Sequence, residues 1–379
     1  MLSTKMALLS ILITALVAVA CAAPAVPTAT PPPKSAPAPI ATIAPATPAT
    51  KAVATPVAVK PTPPPQAAAP KPKTLMKVKV AYTAVSGNYV PVWIAKQEKL
   101  FEKYGLDVDL TFISSTTTAI QALIAGEVPI VHGSAVPMIA ASLGGNDAQI
   151  VASLFNTVLN YLMVHPSVNG PADLKGKTLG MSRFGSLTDI ALRYAVRKLG
   201  LDPEKDVTIV QVGGPPEILA AMKTGAVVGG TLSAPTNVVA RKEGFKVLLD
   251  IAKAGMQYPG TTIGTTRKFM QSNGPEVENF LRAIVEGTYI FKTNKDLSMR
   301  VIKEYTKIED PEALEDTWRS YSETVEKIPY PTREAMEVAI EEVAVTNPKA
   351  KGASPDAFMD LQFMKRLESS GFIKQIYKE

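Results

Sequence analysis

The strongest chemical signal in this chain is a set of short small-polar segments. They are Ser86-Gly87-Asn88, Ser115-Thr116-Thr117, Gly133-Ser134, Ser182-Arg183-Phe184-Gly185-Ser186 and Gly213-Gly214, with Ser233 ahead of Ala234-Pro235 as a related case. Hydroxyls and exposed backbone N–H groups hold the oxygen or nitrogen atoms of a small solute. They do so best at a helix N-terminus, where unpaired N–H groups carry a partial positive charge. One such segment is an ordinary helix cap; several in the same strand-to-helix position make a shared binding cleft the better reading. Arg183 could add a two-pronged bond to a carboxylate or sulfonate, with an idle, exposed arginine as the competing reading. Tyr89 and Trp93 stand four residues apart on one helix face. They could stack on a ligand ring or fill the core.

Other chemistry is weakly signalled. Gly170 to Thr178 reads Gly-Pro-Ala-Asp-Leu-Lys-Gly-Lys-Thr, one residue too long for a phosphate loop, and it leads into a strand where that loop must open a helix. Gly213-Gly214 and Gly229-Gly230 lack the dinucleotide fingerprint. His132 and His165 are the chain's two histidines, with no acidic partner at metal spacing. No serine-hydrolase elbow occurs, and the acidic residues of the C-terminal third alternate with Lys and Arg as a solvated face. No cofactor, metal or catalytic residue is expected.

The polar segments need strands and helices to position them. Residues 78–82 alternate as a strand, Pro91 suits a first helical turn, and Gly105 suits a helix end. Further strands are expected at 108–112, 129–131, 150–154, 177–181, 207–212, 227–231 and 247–250, with helices between them. After 266 the chain reads as nearly all helix. Strands separated by helices mean α/β architecture with mainly parallel sheets, here as two lobes.

Ahead of these elements the composition changes. Sixteen of the 32 prolines lie between Pro24 and Pro72, and the six lysines before Leu75 face no acidic residue. The remaining 34 basic and 34 acidic side chains cancel, so the net charge of +6 belongs to the N-terminal stretch. A basic nucleic-acid-binding face is therefore not expected. Residues 22–74 are rich in Ala, Pro, Thr and Val and cannot bury enough surface to offset the entropy of ordering, which makes them a tether. Residues 1–20 read as a signal peptide, with Lys5, an apolar run over 6–19 and small residues before Cys21, the chain's single cysteine. The stretch resembles a bacterial lipoprotein signal in which Cys21 is lipidated; an uncleaved anchor is the alternative.

Asn88-Tyr89-Val90-Pro91-Val92-Trp93-Ile94-Ala95, followed by the run from Leu100 to Val108, resembles the opening of the nitrate/sulfonate/taurine type (SsuA/THI5-like, NMT1-like) solute-binding proteins. Ala122 to Glu127, Asp173-Leu174-Lys175-Gly176-Lys177 and Gly200-Leu201-Asp202 resemble later stretches of that family. The resemblance spans roughly residues 78–250, and Pro129 and the segment near Gly229 depart from it where the family carries acids. It implies a two-lobed type II periplasmic binding protein fold with the ligand cleft between lobes and a helical C-terminal region. The expected divisions are 21–74 for the lipidated cysteine and tether, 75–165 for the first part of lobe 1, 166–255 for lobe 2 and 256–379 for the return to lobe 1. It further implies a monomeric, extracytoplasmic, lipid-anchored protein that delivers a small organic or anionic solute to the permease of an ABC importer. A pyrimidine or thiamine-precursor binding protein, an enzyme of the same fold and a sensor ectodomain are the alternatives.

Overall fold

The computed structural model describes residues 74–379. The expected signal peptide, Cys21 and nearly all of the expected tether lie outside the described residues. Strands are β1 (Met76–Tyr82), β2 (Leu106–Phe112), β3 (Ile130–Gly133), β4 (Ala148–Thr157), β5 (Asn160–Val164), β6 (Thr178–Met181), β7 (Thr208–Gln211), β8 (Gly229–Ser233), β9 (Lys246–Asp250) and β10 (Gln257–Thr266). Between them run helices α1 (Val90–Gln97), α2 (Leu100–Lys103), α3 (Thr116–Ile124), α4 (Ala135–Leu143), α5 (Leu187–Lys198), α6 (Pro215–Lys223) and α7 (Thr236–Lys242). The chain ends in helices α8 (Arg267–Ser272), α9 (Gly274–Thr293), α10 (Lys295–Thr306), α11 (Pro311–Thr324), α12 (Arg333–Ala344), α13 (Gln362–Ser369) and α14 (Phe372–Tyr377).

Two five-stranded sheets organise these elements, in the orders β2-β1-β3-β10-β4 and β7-β6-β8-β5-β9. In β1 the alternation works as the residues suggest, with Val78 and Val80 buried and Lys77 and Lys79 exposed. The sheets are mixed rather than mainly parallel: β1 pairs in parallel with β2 and β3, and β6 with β7 and β8. Strand β10 runs antiparallel to β3 and β4, and β5 antiparallel to β8 and β9. The reason is the crossing itself. A strand that arrives from the other lobe enters its sheet from the cleft side, opposite to strands that lead toward the cleft. Because β5 already belongs to the second sheet, the first crossing falls between Thr157 and Asn160, before the expected boundary at residue 165.

The C-terminal helices cover the first sheet. Helix α9 packs on α1 and α2, with Phe101 and Phe280 stacked at 5.3 Å, and α12 packs on α4 and β10. Fully buried aromatic side chains, Trp93, Phe101, Phe280 and Phe291, form the centre of this lobe. The second lobe has a smaller cluster of its own around Met163, Ile218, Met222 and Leu232.

Candidate functional site

The segment after β1 enters the cleft with its hydroxyls interlocked. Thr83 Oγ1 lies 2.8 Å from Tyr89 Oη and 3.0 Å from Thr116 Oγ1. The Ser134 N–H donates to Thr116 Oγ1 at 3.1 Å. Ser86 Oγ donates to Asn88 Oδ1 at 2.9 Å, and Asn88 Nδ2 donates to Thr261 Oγ1 at 2.7 Å. Gly133 lets this happen: a Cβ there would come within 2.6 Å of Thr116 Oγ1 and Cγ2. Burial pushes the Tyr89 phenol up to about 12, offset in part by its bond to Thr83. Beside it, burial holds the His132 imidazole down at about 3. Both side chains are therefore neutral at physiological pH.

The second lobe faces this network with a hydroxyl cluster of its own. Ser182 Oγ, Ser186 Oγ and Thr188 Oγ1 sit 2.7 to 3.0 Å from one another, and the Ser182 N–H donates to Thr188 Oγ1 at 2.9 Å. The lobes touch on either side of the space between them. Gly87 N–H donates to Ala234 O at 3.1 Å, and Thr117 Oγ1 donates to Phe184 O at 3.1 Å. Lys242 of α7 bridges to Asp310 at 2.6 Å and to Glu312 at 2.9 Å ahead of and within α11.

Between the lobes lies a cavity of about 40 Å³, lined by Thr83, Ala84, Ser86, Asn88, Tyr89 and Ser115 on one side and by Ser182, Ser186, Thr188 and Pro215 on the other. Thr116, Asn160, Leu187, Gly214 and Ser233 complete the lining. None of these side chains is a carboxylate, amine, guanidinium, imidazole or thiol. The wall thus offers neutral dipoles, without the carboxylate, imidazole or thiolate groups that hold transition metals or transfer protons near neutral pH.

The helix starts at this site carry no side-chain caps, a feature shared with α1, α2, α9, α13 and α14. Helices α8, α10, α11 and α12 are capped by their own side chains, from Thr266, Asn294, Asp310 and Thr332. Helices α3 to α7, which begin at the cleft, have no side-chain cap bond. A missing cap costs about 0.5–2 kcal/mol of helix stability and leaves first-turn N–H groups without a cap partner, except that at α4 the Val136 N–H donates to Tyr258 Oη at 3.3 Å. The start of α3, like those of α4 and α7, has no acidic residue in its first turn. Its cap residue, Ser115, holds φ at +89° and has a buried Oγ without a partner.

Of the residues singled out from sequence, Ser86, Asn88, Tyr89, Ser115, Thr116, Ser182, Ser186 and Ser233 line the cavity. The rest do not. Trp93 is fully buried and stacks on Tyr305 at 4.7 Å, so it belongs to the core. Thr117 joins the two lobes through Phe184 O, and Gly133 and Ser134 lie behind Thr116. Arg183 and Phe184 point outward and are exposed. The cause is the turn at Gly185, whose φ of +74° and N–H bond to Asp189 Oδ2 at 2.7 Å send Ser186 inward and the two preceding side chains out. Gly213 gives way to Gly214 at the wall, since its Cβ position is filled by Glu217. Sequence reasoning missed Thr83, Ala84, Asn160, Leu187, Thr188 and Pro215. Most of these extend the polar segments by a residue or two and could have been found that way. Asn160 opens a strand and carries no motif.

Comparison with known proteins places this geometry in context. A model described as the NMT1-like family matches residues 70–304. YtlA of Bacillus subtilis (strain 168) is 26% identical over 262 residues, covering 67% of this chain and 78% of its own. The formylaminopyrimidine-binding protein of Halalkalibacterium halodurans is 26% identical over 218 residues, covering 56% and 64% respectively. Among solved structures, the alkanesulfonate-binding protein SsuA from Xanthomonas axonopodis pv. citri, bound to MOPS, superposes with a TM-score of 0.63 at 16% identity, over 79% of this chain and 98% of that one. The fold is thus that of the periplasmic binding proteins.

Proposed function

We propose, from the premise that the chain belongs to the NMT1-like family, that it is an extracytoplasmic solute-binding protein that presents a small organic or oxyanionic solute to an ABC importer. The observation that carries this reading is the neutral, hydroxyl-lined cavity enclosed by both lobes at uncapped helix starts. Such a wall can hold a solute by many weak, directional bonds and release it when the lobes part. Binding without turnover is the reading supported by the relatives, which are named as binding proteins. The relatives support the solute range: one is named for formylaminopyrimidine and one for alkanesulfonate.

The protein acts as a monomer held to the membrane by a lipid on Cys21, which is the chain's single cysteine and follows an apolar, small-residue run. Cys21→Ser should move it from the membrane to the soluble fraction; retention in the membrane overturns the lipid anchor. Solute binding itself is tested by thermal shift against sulfonates, nitrate, aromatic carboxylates and pyrimidines. A ligand at 100 times its dissociation constant stabilises by about 2.7 kcal/mol. No shift with any of these classes refutes the reading.

A further inference from the structure

We infer that Asn160 is the specificity-determining residue of the cleft and that it selects neutral solutes presenting an N–H donor next to an acceptor, such as an amide, a ureide or an amino-substituted heteroaromatic edge, over bare oxyanions. This rests on the solute-binding reading above. The argument turns on which polar groups of the wall are already satisfied.

Most of them are. Asn88 spends its amide on Ser86 and Thr261. Tyr89 and Thr116 are tied to Thr83. Ser182, Ser186 and Thr188 satisfy one another. Groups with protein partners gain little from a ligand, whereas an unpaired buried group gains a great deal, because leaving it unpaired is costly. Ser233 carries a single hydroxyl outside these bonds, and two further lining residues keep unspent side-chain groups. Ser115 has its partnerless hydroxyl at the bare start of α3, which suits an acceptor oxygen of the solute.

Asn160 is the other. It is 3% exposed, it lines the cavity, and its side chain has no hydrogen-bond partner among the described residues. Its backbone is occupied elsewhere: it pairs with Ser233 across the sheet, and its carbonyl accepts from Ile251. The strand thus holds the residue rigidly and leaves only the amide unspent. An amide offers two donors and one acceptor oxygen side by side. A bare oxyanion presents acceptors alone, so it can meet the Asn160 N–H groups but sets its lone pairs against Oδ1. A solute carrying its own N–H beside an acceptor satisfies both halves. The absence of any charged side chain in the lining fits the same class, since no formal counter-charge awaits an anion.

The test uses four probes, formylaminopyrimidine and nicotinamide as neutral solutes and methanesulfonate and nitrate as anions. Affinity is measured calorimetrically on the wild type, Asn160→Ala and Asn160→Asp. Urea unfolding without solute checks that both variants fold. The expected result is that a neutral probe binds the wild type more tightly than either anion and weakens at least 10-fold in both variants. Tighter binding of an anion overturns the inference while leaving solute binding intact. So does neutral-probe affinity that stays within 2-fold in Asn160→Ala. If none of the four probes binds the wild type, the inference falls, and the solute-binding reading falls with it only when the aromatic carboxylates of the thermal-shift screen also give no shift.

Discussion

The contact between Gly133 and Thr116 offers a sharp test of how the cleft is built. Gly133 sits in β3 under the Thr116 side chain, and an added Cβ would lie 2.6 Å from both Oγ1 and Cγ2 and 3.1 Å from Cβ. Gly133→Ala must therefore displace Thr116, and overpacking of this kind costs about 1–3 kcal/mol. The backbone itself permits alanine, because Gly133 is not in the left-handed region. Where alanine fits without strain it stabilises by about 0.4–1 kcal/mol through the unfolded chain. In a Thr116→Ala background the two closest atoms are gone, and Gly133→Ala should become neutral or slightly stabilising. Thr116→Ala alone loses the bonds to Thr83 and the Ser134 N–H, a cost of about 1–3 kcal/mol. The assay is a double-mutant cycle by urea unfolding at constant slope. The expected coupling is about 1–3 kcal/mol, with the sign of the Gly133→Ala effect changing between backgrounds. Additivity to within about 0.5 kcal/mol refutes the idea that Gly133 exists to seat Thr116 at the cavity wall.

Three further outcomes follow from the geometry. His132 has a folded-state value near 3, below its unfolded value of 6.5, so the unfolded chain binds the extra proton and stability falls as pH drops below about 6.5; urea unfolding should lose about 1.2 kcal/mol between pH 7 and 5.5, and His132→Leu should flatten that slope. Trp93→Ala should destabilise by about 3–5 kcal/mol, and the milder Trp93→Phe should lower the unfolding midpoint with solute affinity unchanged; a selective loss of affinity would return Trp93 to the cleft. Arg183→Ala should change neither midpoint nor affinity for any solute by more than about 2-fold, as befits a hydrogen bond never made, and a large loss for an anion would show that the arginine swings inward on binding.

Much of the architecture is legible from local rules, and the exceptions share a cause. Strand β1, the start of α1 and the end of α2 are written in alternation, Pro91 and Gly105, all of which act within a few residues, whereas the break at Lys99 between the two helices is not. The crossings are not. Strands β5 and β10 pair with partners dozens of residues away, and β10, where Thr261 and Thr262 are fully buried, is not among the strands expected from sequence. Their burial comes from the lobe-to-lobe return of the chain, which no window of sequence contains. Asn160 was missed for the same reason, since its importance comes from where β5 enters the second sheet.

Within the cleft, residue type was legible and side-chain direction was not. The segment Ser182 to Ser186 supplies both wall residues and outward ones, and a single left-handed glycine decides which is which. Gly185 turns the chain so that its N–H meets Asp189, and this places Ser182 and Ser186 against Thr188 while Arg183 is left in solvent. A formal charge is the feature a reader of sequence reaches for first when an anion is in view. Here the physical demand of the cavity lies with groups that have no partner, the Asn160 amide and the Ser115 hydroxyl at an uncapped helix start. An unpaired buried dipole costs about 1–3 kcal/mol until a ligand meets it. On the proposed reading, a solute of matching donors and acceptors meets the Asn160 amide and the Ser115 hydroxyl and offsets that cost as the lobes close on it.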